Sequence, residues 1–194
     1  MAIDIEEEKE PQDKMKYAYL IEEANKKWEA MGPEGQKLWL DMEDKNLDMF
    51  LMLWNCIKRI ESELHINVLG IVKDEWVKQF HQRGQEIATK YKEHGLKELY
   101  DALFAHYEGI SKSKWIEFND RRLLMRKTYC PPAEFFKRMV KTDEELKEIA
   151  EVHCSAEKAL VEGFNPELEC AGIPKPMVAG CSHCTYFIED HGGK

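Results

Sequence analysis

The fold class is decided by a short stretch in the middle of the chain, WIEFNDRRLLMRKTYC, residues 115–130. On each side of the turn-like segment 119–121, apolar and aromatic residues are interspersed with polar ones, which is typical of two antiparallel strands. Pro131 and Pro132 follow directly and end the second strand. Because the preceding sequence has a helical periodicity, this strand pair predicts an α+β fold.

The sequence before the strand pair has the spacing of amphipathic helices. After an acidic arm at residues 1–13, apolar residues recur every three or four positions on one helix face. The first such set is Tyr17, Leu20, Ile21, Ala24 and Trp28. Gly32-Pro33 separates this helix from a long second helix that continues to Leu64.

Two further helices are expected before the strand pair. Asp74 precedes a third apolar face, and Gly95 is placed to end that helix because glycine is favoured just beyond a helix C-terminus. Residues 96–107 predict a fourth, short helix.

The sequence after the strand pair predicts helices followed by strands. Thr142 and Glu145 have the spacing of a capping box and predict the start of a helix that ends at Gly163. Residues 168–178 and 185–189 are the last strand candidates. We therefore expect an α+β fold in which a helical N-terminal half packs on a small antiparallel β-sheet with two inserted helices.

The domain organisation predicted from these elements is simple. Residues 14–194 form a single domain, with a helical region over 14–108 and a cysteine-rich, sheet-containing region over 109–194. A chain of 194 residues is long enough to bury one sizeable core. A division into two subdomains near residue 110 is the alternative.

Charge and hydropathy exclude several classes of partner. The formal net charge of -9 argues against nucleic acid, which requires a basic surface. One basic cluster, at residues 121, 122, 126 and 127, predicts either a solvated strand face or an anion contact. The longest apolar run, Met49–Trp54, is far shorter than the roughly 20 residues that span a bilayer. No export signal is apparent, so we expect a cytoplasmic protein whose cysteines are thiols or ligands.

The cysteines are concentrated in the C-terminal region, which holds Cys130, Cys154, Cys170, Cys181 and Cys184. Cys181 and Cys184 form a C-x-x-C pair at a turn, a spacing that lets two sulfurs reach one metal ion. Cys130 and Cys154 are the expected remaining ligands, with His153, His183 and Cys170 as substitutes, so the pair predicts a zinc or iron site. The alternative is that Cys130 and Cys154 are small buried apolar residues.

A second constellation lies on the predicted helix that begins after Thr142. Cys154 and Glu157 are three residues apart and share a helix face, so they form a candidate pair of nucleophile and general base. His153, on the adjacent face, and Cys130 are further catalytic candidates. The alternative is a solvent-facing Glu157 paired with a neighbouring lysine.

Several C-terminal motifs carry a family resemblance. They are Cys130-Pro131, the run 154–159 (CSAEKA), the run 163–168 (GFNPEL), and Gly180 followed by Cys184-Thr185-Tyr186-Phe187. In order and spacing they resemble the L-2-amino-thiazoline-4-carboxylic acid hydrolase family, which is distantly similar to vinyl-reductase-type small-molecule-binding domains. The chain departs from the family in having Glu157 where members usually have Asp, and in its sequence at 173–176.

The resemblance implies a largely apolar pocket and ring-opening hydrolysis. We therefore expect an enzyme that opens a small cyclic amide or thiazoline-type substrate at a ring C–N bond, in a cysteine- and glutamate-lined pocket. The alternative function is a non-catalytic small-molecule or metal-binding sensor or carrier. The expected partner is a small molecule, and the apolar content of the first helix permits a homodimer.

Overall fold

The computed structural model describes residues 14–140, 142–170 and 184–192, and its architecture is the predicted α+β fold. The helices are α1 (Ala18–Ala30), α2 (Gly32–Leu64), α3 (Val68–Ala88), α4 (Leu96–Leu99), α5 (Pro131–Met139) and α6 (Asp143–Phe164). The strands are β1 (Lys112–Phe118), β2 (Arg122–Tyr129), β3 (Leu168–Cys170) and β4 (Cys184–Asp190). They form an antiparallel sheet in the order β1-β2-β4-β3.

The strand pair that predicted the fold class forms the hairpin β1–β2. The Asn119 side chain holds its turn, because its amide oxygen accepts hydrogen bonds from the backbone N–H groups of Arg121 and Arg122, both at 2.9 Å. On its other side β2 pairs with β4, where Lys127 lies opposite Cys184. The β2–β4 register therefore places Lys127 and Cys184, which are far apart in the sequence, at the same end of the sheet.

The predicted boundaries of the third helix were wrong at both ends. Helix α3 begins at Val68, because Asn67 provides the cap and its side-chain oxygen accepts the Gly70 N–H at 2.8 Å. Asp74 lies inside the helix. Its C-terminus is at Ala88, so Gly95 does not end α3 and instead precedes α4.

The segment predicted as a fourth helix is helical but irregular. Only Leu96–Leu99 is α-helical, and it continues as a π-helical turn, Tyr100–Phe104, and a 3₁₀ turn, Ala105–Tyr107. Such changes of helical pitch redirect side chains that a regular helix would present elsewhere. Here they turn part of the segment toward the interior of the protein.

Helix α6 confirms the predicted N-terminus and packs closely on α3. The Thr142 hydroxyl accepts the Glu145 N–H at 3.2 Å, as the capping-box spacing predicts.

Where α6 crosses α3, a Cβ atom on Gly84 would lie 2.2 Å from the Leu160 carbonyl oxygen, and one on Gly163 would lie 2.0 Å from the His81 carbonyl oxygen. Two glycines thus permit a backbone-to-backbone approach that no other residue allows.

The hydrophobic core joins the helical half to the sheet. Its buried side chains include Trp54 on α2, Phe136 on α5, Ile149 on α6 and Ile188 on β4. Of the predicted strand over residues 168–178, the structure describes only the three residues of β3, and the remainder lies outside the described residues. Within the described ranges, no helix has the length and hydropathy needed to cross a bilayer.

Candidate active site

A cavity of about 280 Å³ lies where the helical half meets the sheet. Its polar or titratable lining residues are Glu43, His106, Tyr107, Lys127, Cys130, His153, Cys154, Glu157, Cys170, Cys184 and Tyr186. Its apolar lining residues are Phe80, Leu103, Phe104, Pro131, Pro132, Leu160 and Val161. A concave space that combines apolar walls with convergent polar groups is the usual form of a small-molecule site.

Five of the six catalytic or metal-ligand candidates predicted from the sequence line this cavity. Cys130 follows the end of β2, and Cys184 is the first residue of β4. His153, Cys154 and Glu157 lie on consecutive turns of α6. Cys181, the other half of the C-x-x-C pair, lies outside the described residues.

The carboxylate of Glu157 is held by the sheet. It accepts a hydrogen bond from the hydroxyl of Tyr186 on β4. Burial raises the pKa of Tyr186 well above its ordinary value, and the nearby charge of Glu157 raises it further. The phenol therefore stays protonated and acts as the hydrogen-bond donor. The lysine next to Glu157 in sequence pairs elsewhere, because Lys158 Nζ lies 3.6 Å from Glu162 Oε1. Glu157 is therefore an oriented carboxylate facing the cavity.

Two of the four cysteines that line the cavity, Cys130 and Cys154, are held in their neutral form. Burial raises the pKa of Cys154 far above its ordinary value of 9.0, and the negative charge of Glu157 raises it further. Burial also raises the pKa of Cys130. Because the thiolate is the nucleophilic form of cysteine, neither side chain is a preformed nucleophile at neutral pH.

His153 is part of an aromatic cluster as well as of the cavity wall. Its ring packs edge-on against Phe50 and Phe136, with centroid distances of 6.1 and 5.7 Å. Burial lowers the pKa of His153, so the imidazole is neutral at pH 7. Its predicted catalytic role stays a prediction.

Lys127 brings a positive charge into the cavity, although it is only 8% exposed. Its Nζ lies 5.0 Å from the ring centroid of Tyr186 and 6.0 Å from that of Tyr107, which are cation–π distances. Among the described residues it forms no ion pair. Its charge acts on the buried Glu108, whose pKa it lowers against the effect of burial, but no described carboxylate lies within ion-pair distance. A buried ammonium group that is not ion-paired is costly, so this position favours an anionic ligand.

The sequence did contain a signal for the position of Lys127. Leu123, Met125 and Lys127 alternate along β2 and therefore share one face of the sheet. The first two are fully buried, with exposures of 0% and 1%. The basic cluster was expected on a solvated strand face or at an anion contact, and its members differ. Arg121 and Arg126 are exposed, and the partly exposed Arg122 pairs with Glu189 at 2.9 Å.

Glu43 is a second carboxylate that the sequence did not single out. It lies on the long helix α2, and the hydroxyl of Tyr107 donates to its Oε1 at 3.5 Å. Burial raises the pKa of Glu43 above its ordinary value. No local motif marks either residue, because they meet only through the packing of α2 on the irregular segment before β1.

The predicted metal site is not formed by the part of the chain that the structure describes. Within residues 14–140, 142–170 and 184–192, no group of three or more His, Cys, Asp or Glu side chains is placed to hold a metal ion. Three of the four predicted ligands, Cys130, Cys154 and Cys184, nevertheless line the same cavity. The fourth, Cys181, lies in the segment that is not described.

Sequence comparison agrees with the resemblance seen in the C-terminal motifs. The profile of the L-2-amino-thiazoline-4-carboxylic acid hydrolase family matches residues 49–188. The chain belongs to this family. The match extends well into the helical half and includes every lining residue of the cavity except Glu43. The family description names a hydrolase, which agrees with the expected class of activity.

Other comparisons add little to the family assignment. No curated protein matches the chain at a significant level. Among solved structures, the chain is similar to a trafficking protein particle complex subunit 3 from Naegleria fowleri covalently bound to palmitic acid. The identity is 8% and the TM-score 0.48, over 79% of this chain and 96% of that chain.

Proposed function

We propose that this family member hydrolyses a small thiazoline-type substrate in the cavity and opens its ring at the C–N bond. The observation that carries the proposal is the charge arrangement of the cavity. The buried Lys127, which forms no ion pair among the described residues, lines the same space as the carboxylates of Glu157 and Glu43. A site with one cation and two carboxylates in apolar walls fits a small zwitterion.

The compound named in the family description has this charge pattern. A 2-amino-thiazoline-4-carboxylic acid carries a carboxylate at C4 and a basic isothiourea group at C2. In the proposed pose, Lys127 binds the carboxylate and Glu157 faces the ring nitrogen and C2. Charge-assisted contacts of this kind are stronger than neutral hydrogen bonds and orient a substrate in a cavity that is otherwise apolar.

The proposed reaction uses water as the nucleophile and Glu157 as the general base. The water oxygen bonds to C2 while Glu157 accepts a proton and passes it to the ring nitrogen. The tetrahedral intermediate then collapses to a carbonyl as the C2–N bond breaks. Both hydrogens of the water finish on the departing nitrogen, which becomes a free amine, and the sulfur retains a carbamoyl group.

Cys154 has a secondary role in this scheme. Its raised pKa and the oriented Glu157 carboxylate support attack by water over attack by sulfur. The competing route, in which Glu157 deprotonates Cys154 and the thiolate attacks C2, forms a covalent intermediate. The thiolate route requires the sulfur of Cys154 as the nucleophile, whereas the water route does not.

The test is turnover of L-2-amino-thiazoline-4-carboxylic acid by the full chain. We expect Glu157→Gln to lower kcat by about 10²- to 10⁴-fold because it removes the base, and Cys154→Ser to retain activity. A free amine without a free thiol among the products identifies C–N cleavage, whereas a free thiol identifies C–S cleavage. Loss of turnover in Cys154→Ser, with a covalent adduct on the wild-type cysteine, would contradict the water route.

Two further results would change the proposal. Binding of the substrate without turnover by the wild-type chain would favour the non-catalytic sensor or carrier function. A zinc or iron ion held by Cys130, Cys154, Cys181 and Cys184 also stays a prediction. Elemental analysis of protein purified without chelator or a His-tag tests it, and no step above depends on a metal.

A further inference from the structure

Glu43 is a charged residue of the cavity lining to which the proposed reaction assigns no role. It comes from helix α2, is half-buried, and lies outside residues 49–188, the region that the family profile matches. Among the described residues it forms no ion pair, and the nearby charge that acts on it, that of Asp44, is also negative. Burial raises its pKa above the ordinary value, so a cationic group of a ligand would stabilise the ionised carboxylate.

Two tyrosine–carboxylate pairs lie beside Lys127 in the cavity. Tyr186 donates a hydrogen bond to Glu157. Tyr107 donates to Glu43 at 3.5 Å, and the charge of Glu157 also raises the pKa of Tyr107. Lys127 Nζ lies 5.0 Å from the ring centroid of Tyr186 and 6.0 Å from that of Tyr107. A small ligand that binds Lys127 is therefore close to both carboxylates.

The hydrogen bond to Glu43 leaves its carboxylate able to accept others. A distance of 3.5 Å is long for a bond from a hydroxyl group to a carboxylate. An ionised carboxylate has two oxygens with about four acceptor sites, so N–H groups of a ligand can bind beside the hydroxyl of Tyr107.

The basic end of the proposed substrate carries two different nitrogens. The isothiourea group consists of a ring nitrogen and an exocyclic amino group at C2, and both share the positive charge when the group is protonated. In the proposed pose, Lys127 binds the carboxylate at C4 and Glu157 faces the ring nitrogen. The exocyclic amino group then needs a second anionic partner, and Glu43 is the remaining carboxylate of the described lining.

We propose that Glu43 is a specificity-determining residue that accepts hydrogen bonds from the exocyclic amino group and selects 2-amino rings over rings with another substituent at C2. The inference rests on the proposed function for the identity of the ring. An ionised carboxylate only accepts hydrogen bonds, so a methyl group at C2 would leave it without a donor. A site built to bind an N–H group discriminates against an analogue that lacks that group.

The test compares L-2-amino-thiazoline-4-carboxylic acid with its 2-methyl analogue, which has nearly the same shape. Calorimetric titration into the full chain carrying Glu157→Gln measures both dissociation constants without turnover. We expect the amino ring to bind about tenfold more tightly than the methyl ring. Adding Glu43→Gln should weaken binding of the amino ring about tenfold and leave binding of the methyl ring unchanged.

The matched control is Asp41→Asn, which removes an exposed carboxylate of α2 that does not line the cavity. It should leave the affinities for both rings unchanged. Unchanged affinity for the methyl ring in the Glu43→Gln variant also shows that the cavity is intact. A preference for the amino ring that survives Glu43→Gln, or an equal loss of affinity for both rings, would overturn the proposal.

Kinetics with Glu157 intact separate this proposal from the proposed function. Glu43→Gln should raise KM for the amino ring about tenfold and change kcat little, because the lost contact is made before the chemical step. Normal turnover with an unchanged KM would overturn the role of Glu43 alone. Selective binding without turnover would support that role and overturn the hydrolysis, whereas no binding of the amino ring would overturn both.

Discussion

At the scale of single residues, burial determines the charge state of the cavity. Burial is the first cause of the raised pKa at Cys130, Cys154 and Tyr186. These groups therefore stay neutral while Glu157 and Lys127 provide the charges. The division matches the proposed roles, in which charged groups bind and activate and neutral groups form the walls.

The raised pKa values of Cys130 and Cys154 predict that these two thiols are alkylated more slowly than an exposed cysteine near neutral pH. At pH 8 we expect iodoacetamide to modify the exposed Cys56 quickly and to leave Cys130 and Cys154 largely unmodified, since each unit of raised pKa lowers the thiolate fraction about tenfold. Because burial raises the pKa of both thiols, their rates should be low at pH 8 and should rise steadily as the pH is raised.

Peptide mass spectrometry follows each cysteine separately, and the protein in guanidinium chloride controls for intrinsic reactivity. Equal rates for Cys154 and Cys56 at pH 8 in the folded protein would contradict the neutral thiol. That result would also restore Cys154 as a preformed nucleophile.

Part of the site was predictable from the residues alone. Cys154 and Glu157 were paired through helical spacing, and their placement in one cavity follows from the regular geometry of α6. Tyr107, Tyr186 and Glu43 were not predicted, because they lie on different elements and meet only when the helical half packs on the sheet. Lys127 lies between these cases: it was expected on a solvated strand face or at an anion contact, although its alternation with Leu123 and Met125 indicates the buried face.

At the scale of elements, the crossing of α3 and α6 is close enough to require glycine at positions 84 and 163. We expect Gly84→Ala to destabilise the protein by about 1–3 kcal/mol or more, since the added Cβ would lie 2.2 Å from the Leu160 carbonyl oxygen and the backbones must separate. Chemical denaturation of the variant and the wild type measures the difference.

The matched control is Gly95→Ala. There the nearest atom to the added Cβ is a side-chain oxygen of Glu98 at 3.4 Å, which can move. We expect little change in its unfolding free energy. Equal stability of Gly84→Ala and the control would contradict the close crossing.

Sequence signals succeeded where an element is specified by its own residues. The cap at Thr142 and the turn at Asn119 use local hydrogen bonds, so α6 and the β1–β2 hairpin were predicted correctly. The start of α3 was missed, although the Asn67 cap is also a local signal, because the apolar pattern after Asp74 was followed instead. The π-helical turn Tyr100–Phe104 has no local signature, and its pitch is set by packing against the sheet.

At the scale of the whole molecule, the fold places the cavity at the junction of its two halves. Helix α2 brings Glu43, β2 brings Lys127, and α6 with β4 brings Glu157 and Tyr186. The α+β class was predictable because hydrophobic periodicity changes from helical to strand-like near Gly109. The cavity was expected from the family resemblance, but its charge arrangement required the packed structure.

The central claim is that Lys127 makes this cavity a site for a small anionic or zwitterionic substrate. Calorimetric titration of L-2-amino-thiazoline-4-carboxylic acid into Glu157→Gln, which preserves the ligand during the measurement, tests it most directly. We predict saturable binding at one site per chain, weakened about 30-fold or more when Lys127→Met is added. Equal affinity with and without the Lys127 ammonium, or no binding by either protein, would contradict the account.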